Sequence, residues 1–247
     1  VGAADRAGWS SLGIDAASII GLRTSGGKGG PKITDSVLEA GKAADVLIDF
    51  AGAAATMANL EQYRQLKKAL IIGSTGLSPE DLEKVYALGK EMPVLWASNM
   101  SVGVNVLAKL TELAAKVLDD QFDIEIFEAH HRYKQDAPSG TAITLGEAAA
   151  KGRGLDFKKA AVYSREGITG ERRKDQIGFQ VLRGGDIVGE HTVFFCADGE
   201  RIEITHRAPS RPILAKGAMR AAKWIAGKPA GVYTISDALG LNILGLN

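Results

Sequence analysis

The chain holds a single cysteine, Cys196, so no internal disulfide can brace it, and a reducing compartment is expected. It also lacks an excess of either charge. Lys+Arg number 30 and Asp+Glu 29, for a net charge of +1. No global field therefore draws it to nucleic acid or to an anionic membrane, although a local basic pocket stays open. No apolar run approaches the roughly 18 residues of a membrane span. No charged n-region leads into an apolar h-region, so no export signal is expected. These absences leave a cytoplasmic globular protein, with no nucleic-acid or membrane partner. What is present agrees: 247 residues, 45% hydrophobic and 24% charged, enough for one large domain or two small ones. Glycine is plentiful, at 30 residues, which favours an α/β protein rich in tight turns.

The first half alternates strand and helix. Val1-Gly2-Ala3-Ala4 reads as the end of a strand, and Ser25-Gly26-Gly27-Lys28-Gly29-Gly30 as a flexible loop. Val46-Leu47-Ile48-Asp49-Phe50, Leu70-Ile71-Ile72-Gly73 and Val94-Leu95-Trp96-Ala97 are short apolar runs, as expected of strands buried on both faces. Residues 53–68 are Ala-rich and helical. Ser78-Pro79-Glu80-Asp81 carries a helix start, with Ser as N-cap, Pro at the first helical position and an acid at the third. Apolar spacing predicts a further helix over 104–118. Such alternation implies a parallel sheet with crossover helices.

The pattern then changes. Ile124, Ile126 and Phe127 lie in a strand ending at His130, and a helix is expected from about Ser139 to Lys151. Residues 177–183, 187–196 and 201–207 read as antiparallel strands, with Gly184-Gly185 and Asp198-Gly199 as hairpin turns. A final helix is expected over 213–225. The fold class is thus α/β: a Rossmann-like parallel-sheet domain over residues 1–100 plus 212–247, with an inserted α+β domain over 101–211.

Reactive side chains concentrate in Glu128-Ala129-His130-His131-Arg132-Tyr133-Lys134-Gln135-Asp136-Ala137-Pro138-Ser139-Gly140-Thr141. Two of the four histidines sit here, beside Arg and Lys, in a loop that enters a helix through Ser-Gly-Thr. A helix start offers unpaired N–H groups and a positive dipole end, which suit a carboxylate or phosphate. Lys134 and the imidazoles can add cationic partners and supply protons. A solvated basic loop ahead of a capped helix is an equal reading of the same residues. Without a ligand-spaced acid or Cys, no metal site is expected.

As a whole, Glu128 to Ala142 resembles the signature of the dihydrodipicolinate reductase family, also called 4-hydroxy-tetrahydrodipicolinate reductases. Ser101-Val102-Gly103-Val104-Asn105, Tyr163-Ser164-Arg165-Glu166-Gly167, Gly170-Glu171-Arg172, Gly185-Asp186-Ile187-Val188-Gly189-Glu190-His191-Thr192 and Glu203-Ile204-Thr205-His206 are similar to stretches of the same family. The resemblance implies hydride transfer from NADH or NADPH to a small cyclic dicarboxylate on the lysine and diaminopimelate pathway, by a homotetramer. It implies His130 and Lys134 as the acid/base pair, with their shares of proton transfer left open. It implies His131 as a substrate contact, and Ser139, Gly140 and Thr141 as the holders of a substrate carboxylate.

For the cofactor, Gly73-Ser74-Thr75-Gly76 and Ala97-Ser98-Asn99-Met100 are similar to the family's contacting loops. Ser74 and Met100 stand where the family has Thr and Phe, and Met100 can equally be packing. Both loops follow strand ends of the parallel domain, where such sheets bind ligands. Gly73, Ser74, Thr75, Ala97, Ser98, Asn99 and Met100 are therefore cofactor candidates. Phe50-Ala51-Gly52 lies at another strand end but departs from the family's Thr-x-Pro. Asp5 suits a ribose 2′-OH and Arg6 a 2′-phosphate. A Gly-rich turn after a first strand is expected about 20 residues ahead of such an acid. It is not in the sequence, so a start lying upstream of Val1 is expected. Two other readings share the sequence: a related nicotinamide-linked reductase acting on an amino or oxo acid, and a cofactor-free binding relative.

Overall fold

A computed structural model describes residues 1–22, 29–210 and 212–244. Residues 25–28 of the expected Gly-rich loop lie outside the described residues. The chain divides into two compact units, residues 1–98 with 218–239, and residues 99–217 with 240–247.

The first unit carries β1 (Ala3–Ala4), α1 (Ala16–Ile19), β2 (Ile33–Thr34), α2 (Val37–Gly41), β3 (Val46–Asp49), α3 (Ala53–Leu66), β4 (Ala69–Ile72), α4 (Pro79–Ala87) and β5 (Pro93–Trp96). β3, β4 and β5 pair in parallel, as the apolar runs predict. Leu70, Ile71 and Ile72 are wholly buried, because β4 has a strand on each side and cover on both faces. Each such side chain contributes roughly 1.5–3 kcal/mol by leaving water. β1 and β2 pair in parallel with each other as a separate two-stranded sheet among the described residues. α4 starts as its sequence requires: Ser78 Oγ accepts from Asp81 N–H at 3.1 Å, and Asp81 Oδ2 accepts from Ser78 N–H at 3.0 Å.

The second unit begins with α5 (Val102–Val117), β6 (Asp123–His130), α6 (Gly140–Arg153), α7 (Phe157–Ala160), β7 (Ala161–Val162), β8 (Ile177–Arg183), β9 (Gly189–Ala197) and β10 (Glu200–Ala208). Its sheet runs β10-β9-β6-β8-β7. Here the structure corrects the sequence reading. β8 is parallel to β6, not antiparallel to β9. β8 and β9 flank β6 on opposite sides, so Gly184-Gly185 is not a hairpin turn. The segment crosses the end of β6, where Gly184 N–H donates to the His130 carbonyl at 2.9 Å and Arg132 N–H to the Gly185 carbonyl at 3.3 Å. The apolar character of β6 is the reason, since a strand that is hydrophobic and buried takes the central position. Asp198-Gly199 does turn a hairpin, with Gly199 at φ +84 and Ala197 opposite Glu200.

α5 and α6 supply Leu107, Ala142 and Leu145 to a core shared with Ile124 and Ile126 of β6, Ile177 and Phe179 of β8, and Val193 and Phe195 of β9. α8 (Pro212–Ile225) then leads back to the first unit. It is not the last element, because β11 (Gly231–Tyr233) follows and pairs in parallel with β5, and α9 (Ile235–Leu239) comes after it. No helix among the described residues is long and apolar enough to cross a membrane.

Candidate active site

Side chains alternate along a strand, so Ile124, Ile126, Glu128 and His130 share one face of β6. Ile124 and Ile126 fill the core, and Glu128 and His130 continue that face past its end. Register places His191 of β9 opposite Glu128, Arg183 of β8 opposite His130, and His206 of β10 opposite His191. The hydrophobic layer is thus prolonged by a buried polar one.

Glu128 is its hub, only 1% exposed. Its Oε1 accepts from Arg183 Nη2 at 2.8 Å, and its Oε2 from the Ser139 backbone N–H at 3.1 Å. Oε2 lies 3.6 Å from His130 Nδ1 and 3.7 Å from His191 Nε2. Burial alone pushes the Glu128 carboxyl up, but His191 at 3.7 Å and the hydrogen bonds from Ser139 and Arg183 outweigh it and hold the group at about 2. His130 moves the other way. Burial dominates, Glu128 opposes it, and His191, Lys134 and Arg183 add to it, so the imidazole falls to about 4. Without a ligand it is neutral at pH 7. Burial, then His191, also lowers His206.

A cavity of about 290 Å³ opens on this layer, with His130, His191, His206, Thr141, Asn99 and Gly189 on its walls. The α6 N-terminus reaches it through Thr141. Ser139 caps the helix, its Oγ accepting from Ala142 N–H at 3.1 Å and standing 3.1 Å from His191 Nε2. The expected substrate contact Ser139 is therefore buried and already engaged through its side chain. Gly140 is open: a Cβ placed there meets nothing within 4 Å. Gly189 is tight, since its Cβ would stand 3.2 Å from His130 Nε2. Lys134 lies in the loop after β6, where its Nζ donates to both Asp136 oxygens at 2.7 and 2.8 Å. That bond lowers the Asp136 carboxyl and outweighs burial, which raises it. His131 stacks at a tilt on Tyr133, ring centroids 6.2 Å apart, and is not on the cavity wall.

Asn99, expected at the cofactor, lines the cavity. Its Nδ2 donates to Thr141 Oγ1 at 3.1 Å, and its Oδ1 accepts from Ser101 N–H at 2.8 Å. Met100 is 1% exposed and serves as packing.

The other cofactor candidates lie in the first unit. Its loops after β3, β4 and β5 are stitched together. Gly73 N–H donates to the Asp49 carbonyl, Ala97 N–H to the Ile72 carbonyl, and Trp96 Nε1 to the Ser74 carbonyl at 3.1 Å. The Ser74 hydroxyl is turned inward, accepting from Gly52 N–H at 3.0 Å and donating to buried Asp49 at 3.2 Å. Any ligand contact of Ser74 therefore runs through its backbone. Asp49 also accepts from Tyr63 at 2.9 Å. Burial, then Asp49, raises the Tyr63 hydroxyl strongly. Thr75 and Ser98 are exposed, and Ala97 is buried. Asp5 and Arg6 are exposed at the end of β1, with Asp5 Oδ1 accepting from Arg6 N–H at 2.7 Å. An exposed carboxylate followed in sequence by an exposed Arg fits the ribose end of a nicotinamide dinucleotide, and small-residue loops at strand ends fit its nicotinamide end.

Glu128, His130 and His191 place one ligand-type atom each within 4.8 Å of one another, a grouping that the sequence reading did not see. Arg183 already pairs with the one carboxylate at 2.8 Å, and the Ser139 N–H holds its other oxygen, so Glu128 faces the two imidazoles as an anchored counter-charge. His191, His206 and Arg183 were signalled by strand alternation, which carries the face of Ile177, Phe179, Val193 and Ile204 onto them.

Residues 1–100 match the family model described as dihydrodipicolinate reductase, N-terminus, and residues 103–239 the model described as dihydrodipicolinate reductase, C-terminus. The chain is 50% identical over 240 residues to the 4-hydroxy-tetrahydrodipicolinate reductase of Anaeromyxobacter dehalogenans, covering 97% of this chain and 87% of the relative. It is 49% identical to that of Geobacter sulfurreducens, covering 97% and 89%. Among solved structures, it is similar to a dipicolinate-bound dihydrodipicolinate reductase from Paenisporosarcina sp. TG-14. The TM-score is 0.67 and the identity 20%, covering 94% of this chain and 86% of that one. It is also similar to an amine dehydrogenase from Mycobacterium smegmatis, with TM-score 0.54, identity 12%, and coverage of 94% and 87%. At these identities the two structures speak for the fold alone.

Proposed function

Because the chain belongs to the dihydrodipicolinate reductase family, we propose that the cavity of its second unit holds the ring of 4-hydroxy-tetrahydrodipicolinate, with His130 and Lys134 governing proton transfer. The protein is an oxidoreductase, and its step is the reduction of this compound in lysine and diaminopimelate biosynthesis. The cavity carries the reading: about 290 Å³, with His130 on its wall and Thr141 at the start of a 14-residue helix. That helix start suits a carboxylate, and the open space over Gly140 admits one to the backbone.

A nicotinamide cofactor supplies the hydride when bound. Asp5 and Arg6 would hold its ribose end, and the loops at 73–75 and 97–98 its nicotinamide end. The pairing of an acid with Arg favours use of both NADH and NADPH.

The substrate loses its hydroxyl as water, gains one hydride and takes up one proton at carbon. His130 is neutral at pH 7 before substrate binds. Two carboxylates beside it stabilise the imidazolium, so binding itself raises the proton affinity of the donor. Lys134 adds positive charge and a second source of protons, with Asp136 holding its ammonium in place. The deep burial of His130 and His191 keeps these charges in a medium where they act strongly.

A homotetramer is part of the proposal. Val181, Leu182 and Ile202 are 39–41% exposed on β8 and β10, and β10 is an edge strand, which suits pairing with another copy. A cytoplasmic location agrees with the single cysteine.

The test is turnover of 4-hydroxy-tetrahydrodipicolinate, followed by NADH or NADPH absorbance, for the wild type and His130→Gln. Loss of kcat in a folded His130→Gln protein is expected. Wild-type kcat in that variant overturns the role of His130.

A further inference from the structure

Glu128 is clamped from two directions and faces two imidazoles in a third. Arg183 Nη2 holds Oε1 and also donates to the Asp136 carbonyl at 2.8 Å, which fixes the guanidinium itself. The Ser139 N–H holds Oε2. The carboxylate therefore has no freedom to leave His130, whose Nδ1 is 3.6 Å from Oε2. That nitrogen is shut off from solvent and has no hydrogen-bond partner among the described residues. At 3.6 Å the contact is longer than a hydrogen bond, and catalytic contacts often tighten only when ligand is bound. Its sign is nonetheless decided. A lone pair at Nδ1 would point at a buried anion, whereas an N–H there is attracted to it. On the opposite side of the ring, Nε2 lies beside Gly189, a residue of the cavity wall.

We propose that Glu128 is a positioning residue for His130: it fixes Nδ1 as the protonated ring nitrogen and so leaves Nε2 as the atom that exchanges a proton with substrate. Glu128 never touches the substrate in this role. It sets the tautomer and ring orientation, and Arg183 and Ser139 keep it from rotating away. The inference rests on the reading of His130 as a proton-transfer residue.

The measurement is the ¹⁵N spectrum of histidine-labelled, ligand-free protein near pH 7.5, with His130 assigned by comparison with His130→Gln. The wild type is expected to show His130 as the Nδ1–H tautomer, and Glu128→Gln to lose that preference. A wild-type spectrum with His130 as the Nε2–H tautomer overturns the proposal without reference to activity or to the folding of any variant. Partners that orient a functional imidazole are typically worth about 10–100-fold in rate or more. Glu128→Gln is therefore expected to lower kcat by about that factor with little change in KM, and Glu128→Asp to restore part of it.

The pH profile adds a readout that a merely structural role would not move. The charges facing His130 are Glu128 on its own strand, His191 on β9, Arg183 on β8 and Lys134 in the loop. Only Glu128 among them raises its proton affinity, so Glu128→Gln should shift the alkaline limb of kcat to lower pH. Wild-type kcat and an unmoved limb in Glu128→Gln would overturn the inference. Wild-type kcat in His130→Gln alongside the expected tautomer would instead overturn the function assigned to His130.

Discussion

Asn99 Nδ2 donates to Thr141 Oγ1 at 3.1 Å, which ties the segment after β5 to the first turn of α6. The same side-chain amide accepts from Ser101 N–H through Oδ1, and the Asn99 backbone carbonyl accepts from Asn105 Nδ2 at 2.9 Å. One residue thus sets the spacing between the starts of α5 and α6. Asn99→Ala removes two of these bonds, at about 0.5–1.5 kcal/mol each. A loss of stability of about 1–3 kcal/mol in urea unfolding is expected. Thr141 also loses its orienting partner, so KM for the substrate should rise more than kcat falls. An unchanged KM would show that Thr141 needs no such support.

Lys134→Ala should leave the fold nearly untouched. Its pair with Asp136 is short, but the Asp136 side chain is 64% exposed, and exposed pairs contribute about 0–1 kcal/mol. Activity should respond differently. Loss of proton transfer typically costs about 10²–10⁴-fold in rate. Steady-state kinetics with circular dichroism as a folding control checks this. A folded variant with near-normal kcat and a raised KM would make Lys134 a binding residue alone.

Arg6 is exposed, and its backbone N–H, not its guanidinium, is what engages Asp5. Arg6→Ala should therefore weaken use of NADPH by about tenfold or more, the worth of one charge-assisted hydrogen bond. Use of NADH should change little. Equal losses with both cofactors would show that Arg6 does not face the 2′-phosphate.

Two buried groups make stability depend on pH in separate windows. His130 has its ordinary value of 6.5 when unfolded and about 4 when folded. The unfolded chain binds its proton first, so stability is full above about 6.5 and falls as pH drops toward 4. Glu128 falls from 4.5 to about 2 on folding, so its contribution is present above 4.5 and is lost as pH drops toward 2. Urea midpoints between pH 7.5 and 4 should show the first decline, and His130→Gln should flatten it. A midpoint that stays level in the wild type would mean that His130 titrates normally.

Much of this fold was legible. The apolar runs at 46–50, 70–73 and 94–97 become β3, β4 and β5, and Ser78-Pro79 opens α4, because local pattern and capping decide such elements. The partner of Ile177–Arg183 was not legible. A short turn suggested β9, but pairing is a contest between distant segments, and β6 won on both sides. The site divides in the same way. His130 and Thr141 stand out as a cluster in sequence. The roles of His191, Arg183 and Asn99 depend on register and loop return, which join residues 42 to 55 positions apart.

The central place of β6 separates His130 from Lys134 in mechanical terms. His130 sits at the end of a strand gripped by β8 and β9 and closed over by Gly184, so its backbone should open to hydrogen exchange only with the whole unit. Lys134 hangs four positions further on, in a loop held by few backbone bonds, and should open in local excursions. The pair proposed to handle protons is therefore a fixed jaw and a loose one. Mild denaturant or warming should slacken the loose jaw first, so that activity fades while the sheet around His130 is still intact.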